Sequence, residues 1–100
     1  MKIKGFRNGI HLRLGSGNTV TGIVATKNNC GIWVINTKNN SIINNNADFN
    51  TYQGILIQGA SSNRVTGNTA CDNVFGFYLM GSTGNTLTGN TAGKMVAGSG

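Results

Sequence analysis

The chain has 100 residues, with 16 glycines, no proline, 38% hydrophobic residues and only 10% charged residues. This length suits a single domain, and a chain with so little charge is not typical of a disordered segment. The formal net charge of +6 favours either a solvated basic surface or a polyanionic partner. No helix-turn-helix, zinc-finger or RNP pattern points to nucleic acid.

The N-terminal residues are basic, but the apolar region of a signal peptide does not follow them. No apolar stretch has the length of a membrane span. The sequence therefore predicts no membrane partner and assigns no cellular compartment. A fragment of a longer extracellular protein would have the same features.

A glycine recurs along the chain every 22 or 23 residues and defines four repeats. Residues 1–8 precede them and are expected to form a partial turn or a basic cap. One extra residue lies between Asn50 and Gly54. A fixed period of this length predicts stacked supersecondary units. The repeats are 9–30, 31–53, 54–75 and 76–97, within a repeat region 9–98 that a 99–100 tail follows.

Within each repeat the apolar residues alternate over three to five positions, which is the period of short β-strands. The same residue type returns at the same place in every repeat, so like side chains should stack on like. We therefore predict an all-β protein, a right-handed single-stranded parallel β-helix (solenoid) of about four coils of 22–23 residues. The predicted core columns are Ile10/Ile32/Ile55/Phe77, Leu12/Val34/Ile57/Leu79, Val20/Ile42/Val65/Leu87 and Ala25/Ala47/Ala70/Ala92.

Asparagines also recur in register, and they are predicted to form ladders at the corners, with side-chain amides bonding from one rung to the next. Such amides satisfy the backbone groups that a tight corner removes from a sheet. The predicted ladders are Asn18, Asn40, Asn63 and Asn85, then Asn28, Asn50 and Asn73, and a partial third at Asn45, Asn68 and Asn90.

The repeat pattern, Gly-Ile-x-Leu followed by Asn, Asn-x-Ile/Val and a later Asn, resembles the parallel β-helix repeat of the pectin-lyase-like superfamily. It is most similar to the NosD-type periplasmic repeat and the related carbohydrate-binding and sugar-hydrolase module, over residues 9–98. The resemblance implies the fold and, for a NosD-like repeat, copper handling. It does not decide the function, because the superfamily includes lyases, hydrolases, epimerases, tailspikes and non-catalytic spacers.

Residues for catalysis or metal binding are scarce. Glycoside hydrolysis usually needs two facing carboxylates, and the only two here, Asp48 and Asp72, should point to different sides of neighbouring coils. Cys30 and Cys71 lie nearly two rungs apart, beyond disulfide reach, and His11 is the only histidine. We therefore predict no enzyme, and neither catalytic, cofactor-binding nor metal-binding residues.

The candidate functional surface is the outward side of the first strand, where the apolar residues form a contiguous patch of the kind that usually marks a contact surface. Two functions remain open. One is a non-catalytic assembly module that forms a homo-oligomer, such as a trimer, through this face, or stacks through uncapped solenoid ends. The other is a carbohydrate-binding module for acidic polysaccharide. The face comprises His11, Arg13, Trp33, Ile35, Leu56, Gln58, Tyr78 and Met80.

Overall fold

The computed structural model describes residues 1–92 and the backbone of residues 95–97. The predicted tail at 99–100 and the last repeat glycine, Gly98, lie outside the described residues. The described part contains no helix, and hence none that could cross a membrane. Its strands are β1 (Lys2–Ile3), β2 (Asn8–Arg13), β3 (Thr19–Thr21), β4 (Val24–Ala25), β5 (Cys30–Ile35), β6 (Ser41–Ile43), β7 (Gln53–Gln58), β8 (Arg64–Thr66), β9 (Thr69–Ala70), β10 (Phe75–Met80), β11 (Thr86–Thr88), β12 (Thr91–Ala92) and β13 (Met95–Ala97).

Each coil contributes three short segments that pair in parallel with the matching segments of the coils above and below. The first segments form a five-stranded sheet in the order β13-β10-β7-β5-β2, and the second form a four-stranded sheet in the order β11-β8-β6-β3. The third segments pair as β12-β9 and β1-β4, and single bridges through Asn46 connect the two pairs. The prediction of a parallel β-helix of about four coils is confirmed.

The core lies on the solenoid axis, where the predicted columns are stacked in register. Ile32 pairs with Ile55, and Ile55 with Phe77. The next column stacks Ile42 on Val65 in the same way. All five side chains are completely buried, and burying one such side chain contributes about 1.5–3 kcal/mol. The outermost coils are less well covered, because their side chains have fewer neighbours.

The asparagine ladders are present, and each buried amide connects its own coil to both neighbours. Asn68 accepts hydrogen bonds from the backbone N–H (2.9 Å) and the side-chain amide (3.0 Å) of Asn45. Its own amide donates to the carbonyl oxygen of Ile42 at 2.8 Å and to Oδ1 of Asn90 at 3.0 Å. The ladder through Asn50 differs, because its Nδ2 donates to backbone carbonyls instead of another asparagine.

Residues 1–8 form a partial turn below the first coil. Strand β1 pairs in parallel with β4, and the backbone N–H of Phe6 donates to Oδ1 of Asn28 at 3.0 Å. This turn covers only the third segment of the first coil. Strands β2 and β3 are therefore at the edges of their sheets.

The corners are built from residues in the left-handed backbone region, again in columns. One column comprises Leu14 (φ 58°), Asn36 (φ 49°), Gly59 (φ 56°) and Gly81 (φ 56°). Glycine and asparagine adopt this conformation at low cost, whereas for other residues Cβ approaches the following carbonyl oxygen. Leu14 is also 68% exposed, so burial offsets little of its strain.

Leu14→Asn is expected to raise the free energy of unfolding by about 0.5–1 kcal/mol, because asparagine tolerates the left-handed region that costs other residues about 1–2 kcal/mol. Urea denaturation followed by circular dichroism measures the change. Leu14→Ala is the matched control, because it removes the exposed apolar surface without relieving the backbone. Equal stability of the two variants would contradict the assignment of strain to Leu14.

Candidate functional site

The outward side of the five-stranded sheet carries two parallel columns of side chains. In one column Trp33 pairs with His11 below it and with Leu56 above it. Exposure varies along the face: His11 and Arg13 are exposed, Met80 is 40% exposed and the other five side chains are partly buried. The columns are His11/Trp33/Leu56/Tyr78 and Arg13/Ile35/Gln58/Met80. The structure thus brings together all eight residues of the face described from the sequence.

Aromatic rings on this side of the sheet are held by contacts with one another. The imidazole of His11 stacks on the indole of Trp33, with ring centroids 4.7 Å apart and planes 5° from parallel. Tyr78 meets the edge of Phe75 at a centroid distance of 5.0 Å. Such contacts limit ring rotation, so the face presents ordered rather than freely turning side chains.

A cleft of about 340 Å³ opens on the same side of the sheet, next to Trp33. We call it the Trp33 cleft. Only Trp33 and Leu56 among its residues belong to the face predicted from the sequence; the others were missed. It is lined by Arg7, Asn8, Asn29, Cys30, Trp33, Tyr52, Gln53 and Leu56.

The extra residue of the second repeat forms one wall of the Trp33 cleft. Cys30 pairs with Gln53, so the insertion is accommodated immediately before β7. There the N–H of Tyr52 donates to the carbonyl of Asn29 at 2.9 Å, and the Tyr52 side chain is 54% exposed. The irregular spacing of the glycines was therefore the sequence signal for this site. It located the corner, but not the residues that the corner faces.

Cys30 lies at the base of the cleft and is 5% exposed. Burial raises the pKa of its thiol to about 12, and contacts with the backbone of Leu56 and Ile32 offset only part of that effect. The thiol is consequently protonated at neutral pH, and a protonated thiol is neither a strong nucleophile nor a good metal ligand. Cys30 and Cys71 are both free.

The two carboxylates do not form a pair suited to acid–base chemistry. Oδ1 of Asp48 accepts a hydrogen bond from the backbone N–H of Cys71 at 2.7 Å. It thereby links two coils much as the asparagines do. Asp72 is exposed at a left-handed corner with φ 58°. Within the residues that are described, no group of three or more His, Cys, Asp or Glu side chains could hold a metal ion.

A second groove, of about 560 Å³, follows the corner between the first and second segments. Glycines and short hydroxyl side chains form most of its walls, and Lys38 is its charged residue. It contains no aromatic side chain and no cluster of functional groups, so its shape alone suggests no ligand.

One comparison with known proteins gives a result. A family model described as "Periplasmic copper-binding protein (NosD)" matches residues 1–100. The searches of curated proteins and of solved structures gave no match.

Proposed function

The chain belongs to the NosD family, and from that membership we propose that it is a non-catalytic β-helix module that pairs with a second copy of itself through the outer face of its five-stranded sheet. The observation that carries the proposal is the row of outward side chains from Trp33 to Met80. None of the six outward positions on β5, β7 and β10 is charged. Contiguous apolar surface of this kind usually marks a contact site.

Charge along the face favours a two-fold pairing over the three-fold one that the sequence also allowed. In a two-fold interface, residue i of one copy meets residue j of the other and j meets i. An antiparallel pair would place the cationic first coil, with Arg13, against the ring of Tyr78, a favourable cation–π arrangement. A trimer with parallel axes would bring three Arg13 side chains to one level, where like charges repel.

A non-catalytic role is supported by the positions of the two carboxylates. Asp48 is engaged with the backbone of the next coil, and Asp72 occupies an exposed corner. Hydrolytic mechanisms that use carboxylates need two of them facing one substrate bond. The protein surface offers binding groups in greater number than reactive ones.

The copper named in the family description has no matching ligand set among the described residues. His11 stacks on Trp33, the Cys30 thiol is protonated, and no three candidate ligands cluster. Copper sites are built from imidazole, thiolate and thioether ligands brought together at fixed geometry. The residues therefore do not fit a resident copper centre, and the proposal includes no step through the metal.

Sedimentation equilibrium tests the self-association. The wild-type protein should reach the mass of a dimer and stay there as its concentration rises, whereas stacking through solenoid ends would give a mass that keeps increasing. Trp33→Ser combined with Tyr78→Ser should yield a monomer with an unchanged circular dichroism spectrum.

The matched control is Ile43→Ser, which removes a partly buried apolar side chain from the neighbouring four-stranded sheet. This variant should remain dimeric. A wild-type protein that is monomeric at high concentration would overturn the proposal, and so would dissociation by the Ile43 control alone.

A second candidate function is the binding of polysaccharide, and the Trp33 cleft is the observation that favours it. Sites for small ligands are concave and largely apolar, with a few polar groups that fix orientation. The cleft combines an aromatic and aliphatic wall with amide and guanidinium groups. A flat sheet offers only the first of these features.

A further inference from the structure

We infer that the Trp33 cleft binds a sugar ring that carries a carboxylate, such as a uronic acid unit of an acidic polysaccharide. The inference rests on the second candidate function and is independent of self-association. It places recognition in the cleft at the inserted corner, instead of on the flat face that the sequence pattern indicated.

The apolar part of the cleft suits the C–H face of a pyranose ring. Trp33, Tyr52 and Leu56 supply aromatic and aliphatic surface on adjacent coils. A volume of about 340 Å³ lies at the lower end of the range of roughly 300–1,000 Å³ found for small-molecule sites. One or two rings would fill it. Aromatic side chains with a polar edge are well adapted to such half-apolar ligands.

The polar groups of the cleft have no partners within the described part of the protein. The side chains of Arg7, Asn8, Asn29 and Gln53 make no hydrogen bond or ion pair there. Asparagines elsewhere have evident structural roles: the ladder amides are bonded, and Asn36 is one of several that hold a left-handed corner. Neither role applies to Asn8 or Asn29, so their amides are available for a ligand.

Trp33 provides a further unsatisfied donor. Its indole Nε1–H is buried and makes no hydrogen bond, and it is the one such buried side-chain atom among the residues described. A buried donor without an acceptor costs about 1–3 kcal/mol, so its presence in a native structure calls for an explanation. An oxygen of the proposed ligand supplies the missing acceptor.

The acid group of the ligand is assigned to Arg7. It is the only cationic residue that lines the cleft, and no carboxylate lines it. A guanidinium binds a carboxylate through two parallel hydrogen bonds, and a charge-assisted bond of this kind is stronger than a bond between neutral groups. The cleft should therefore prefer an acidic ring to a neutral ring of the same shape.

Titration with trigalacturonate, and with a neutral galactose trimer as the matched ligand, tests the inference. Trp33 is the only tryptophan, so its emission reports on the cleft directly, and calorimetry gives an independent affinity. We expect the acidic trimer to shift the emission and to bind more tightly than the neutral one. No heat and no change in emission with the acidic trimer at millimolar concentration would overturn the inference.

Variants separate the contributions. Arg7→Gln should weaken binding of the acidic trimer about 10- to 100-fold and leave the neutral trimer unaffected. Arg13→Gln, on the same side of the sheet but outside the cleft, should change neither. Trp33→Phe keeps an aromatic ring and removes the N–H, so calorimetry should show about a three- to tenfold loss.

Equal losses for Arg7→Gln and Arg13→Gln would indicate a diffuse effect of charge and would overturn the assigned site. Sedimentation of Arg7→Gln distinguishes the two proposals. A variant that stays dimeric but loses acidic-sugar binding supports the cleft, whereas a monomeric wild-type protein that still binds the sugar contradicts only the self-association.

Discussion

Gly54→Ala is expected to destabilise the protein by about 3 kcal/mol or more, which is a large part of the total stability of a domain of this size. A Cβ at Gly54 would lie 2.7 Å from Cβ of Ala70, 2.7 Å from Nδ2 of Asn73 and 2.8 Å from the carbonyl oxygen of Ala47. None of these atoms is the free end of a flexible side chain. Urea denaturation followed by circular dichroism measures the loss.

Gly15→Ala is the matched control. Its Cβ would meet only Nδ2 of Asn18, at 3.0 Å, and Asn18 is exposed and can move. This variant should lose less than about 1 kcal/mol. Combining Gly54→Ala with Ala70→Gly should restore part of the stability, since one of the three close contacts is removed. Equal effects of Gly54→Ala and Gly15→Ala would contradict the packing argument.

Asn68→Ala is the second substitution with a large expected effect. Asn68 is completely buried, and its loss leaves the N–H of Asn45 and the carbonyl of Ile42 without the partners they have in the ladder. Each orphaned buried group costs about 1–3 kcal/mol, so we expect a loss of about 3–4 kcal/mol in the free energy of unfolding. Thermal unfolding followed by circular dichroism should show a correspondingly lower Tm.

Asn18→Ala serves as its control, because Asn18 is the exposed lowest member of a ladder and its side chain makes no hydrogen bond within the described chain. We expect a change of less than about 0.5 kcal/mol. A loss at Asn18 as large as that at Asn68 would mean that the ladders do not stabilise the fold through buried hydrogen bonds.

The sequence also indicated a reason for its recurring glycines that needs correction. Left-handed corners were expected to account for glycine, and they do so at Gly59 and Gly81. The repeat-defining Gly31 and Gly54 have no positive φ. They are required because the first strand packs closely against the alanine column, where even one methyl group has no room. A one-letter pattern cannot distinguish these two uses of glycine.

The ladders show a similar division between pattern and geometry. Their members could be read from the spacing, since a side chain at a fixed offset must lie above its counterpart one coil below. Their bonding could not. Asn68 bonds amide to amide, whereas Asn50 reaches the carbonyls of Ala25 and Ala47, because the corners differ in how close the backbone passes.

The amino-acid sequence by itself determined the coil length, the core columns, the ladders and the residues of the outer face. It could do so because a solenoid contacts itself only between neighbouring coils, so position within a repeat is position in space. Only the tertiary structure decided that Arg7, Asn29 and Tyr52 meet Trp33 around a cleft. Those residues belong to different offsets of three successive turns, and an inserted residue changes how the turns are aligned, so their proximity depends on the path of the backbone around a corner rather than on the period.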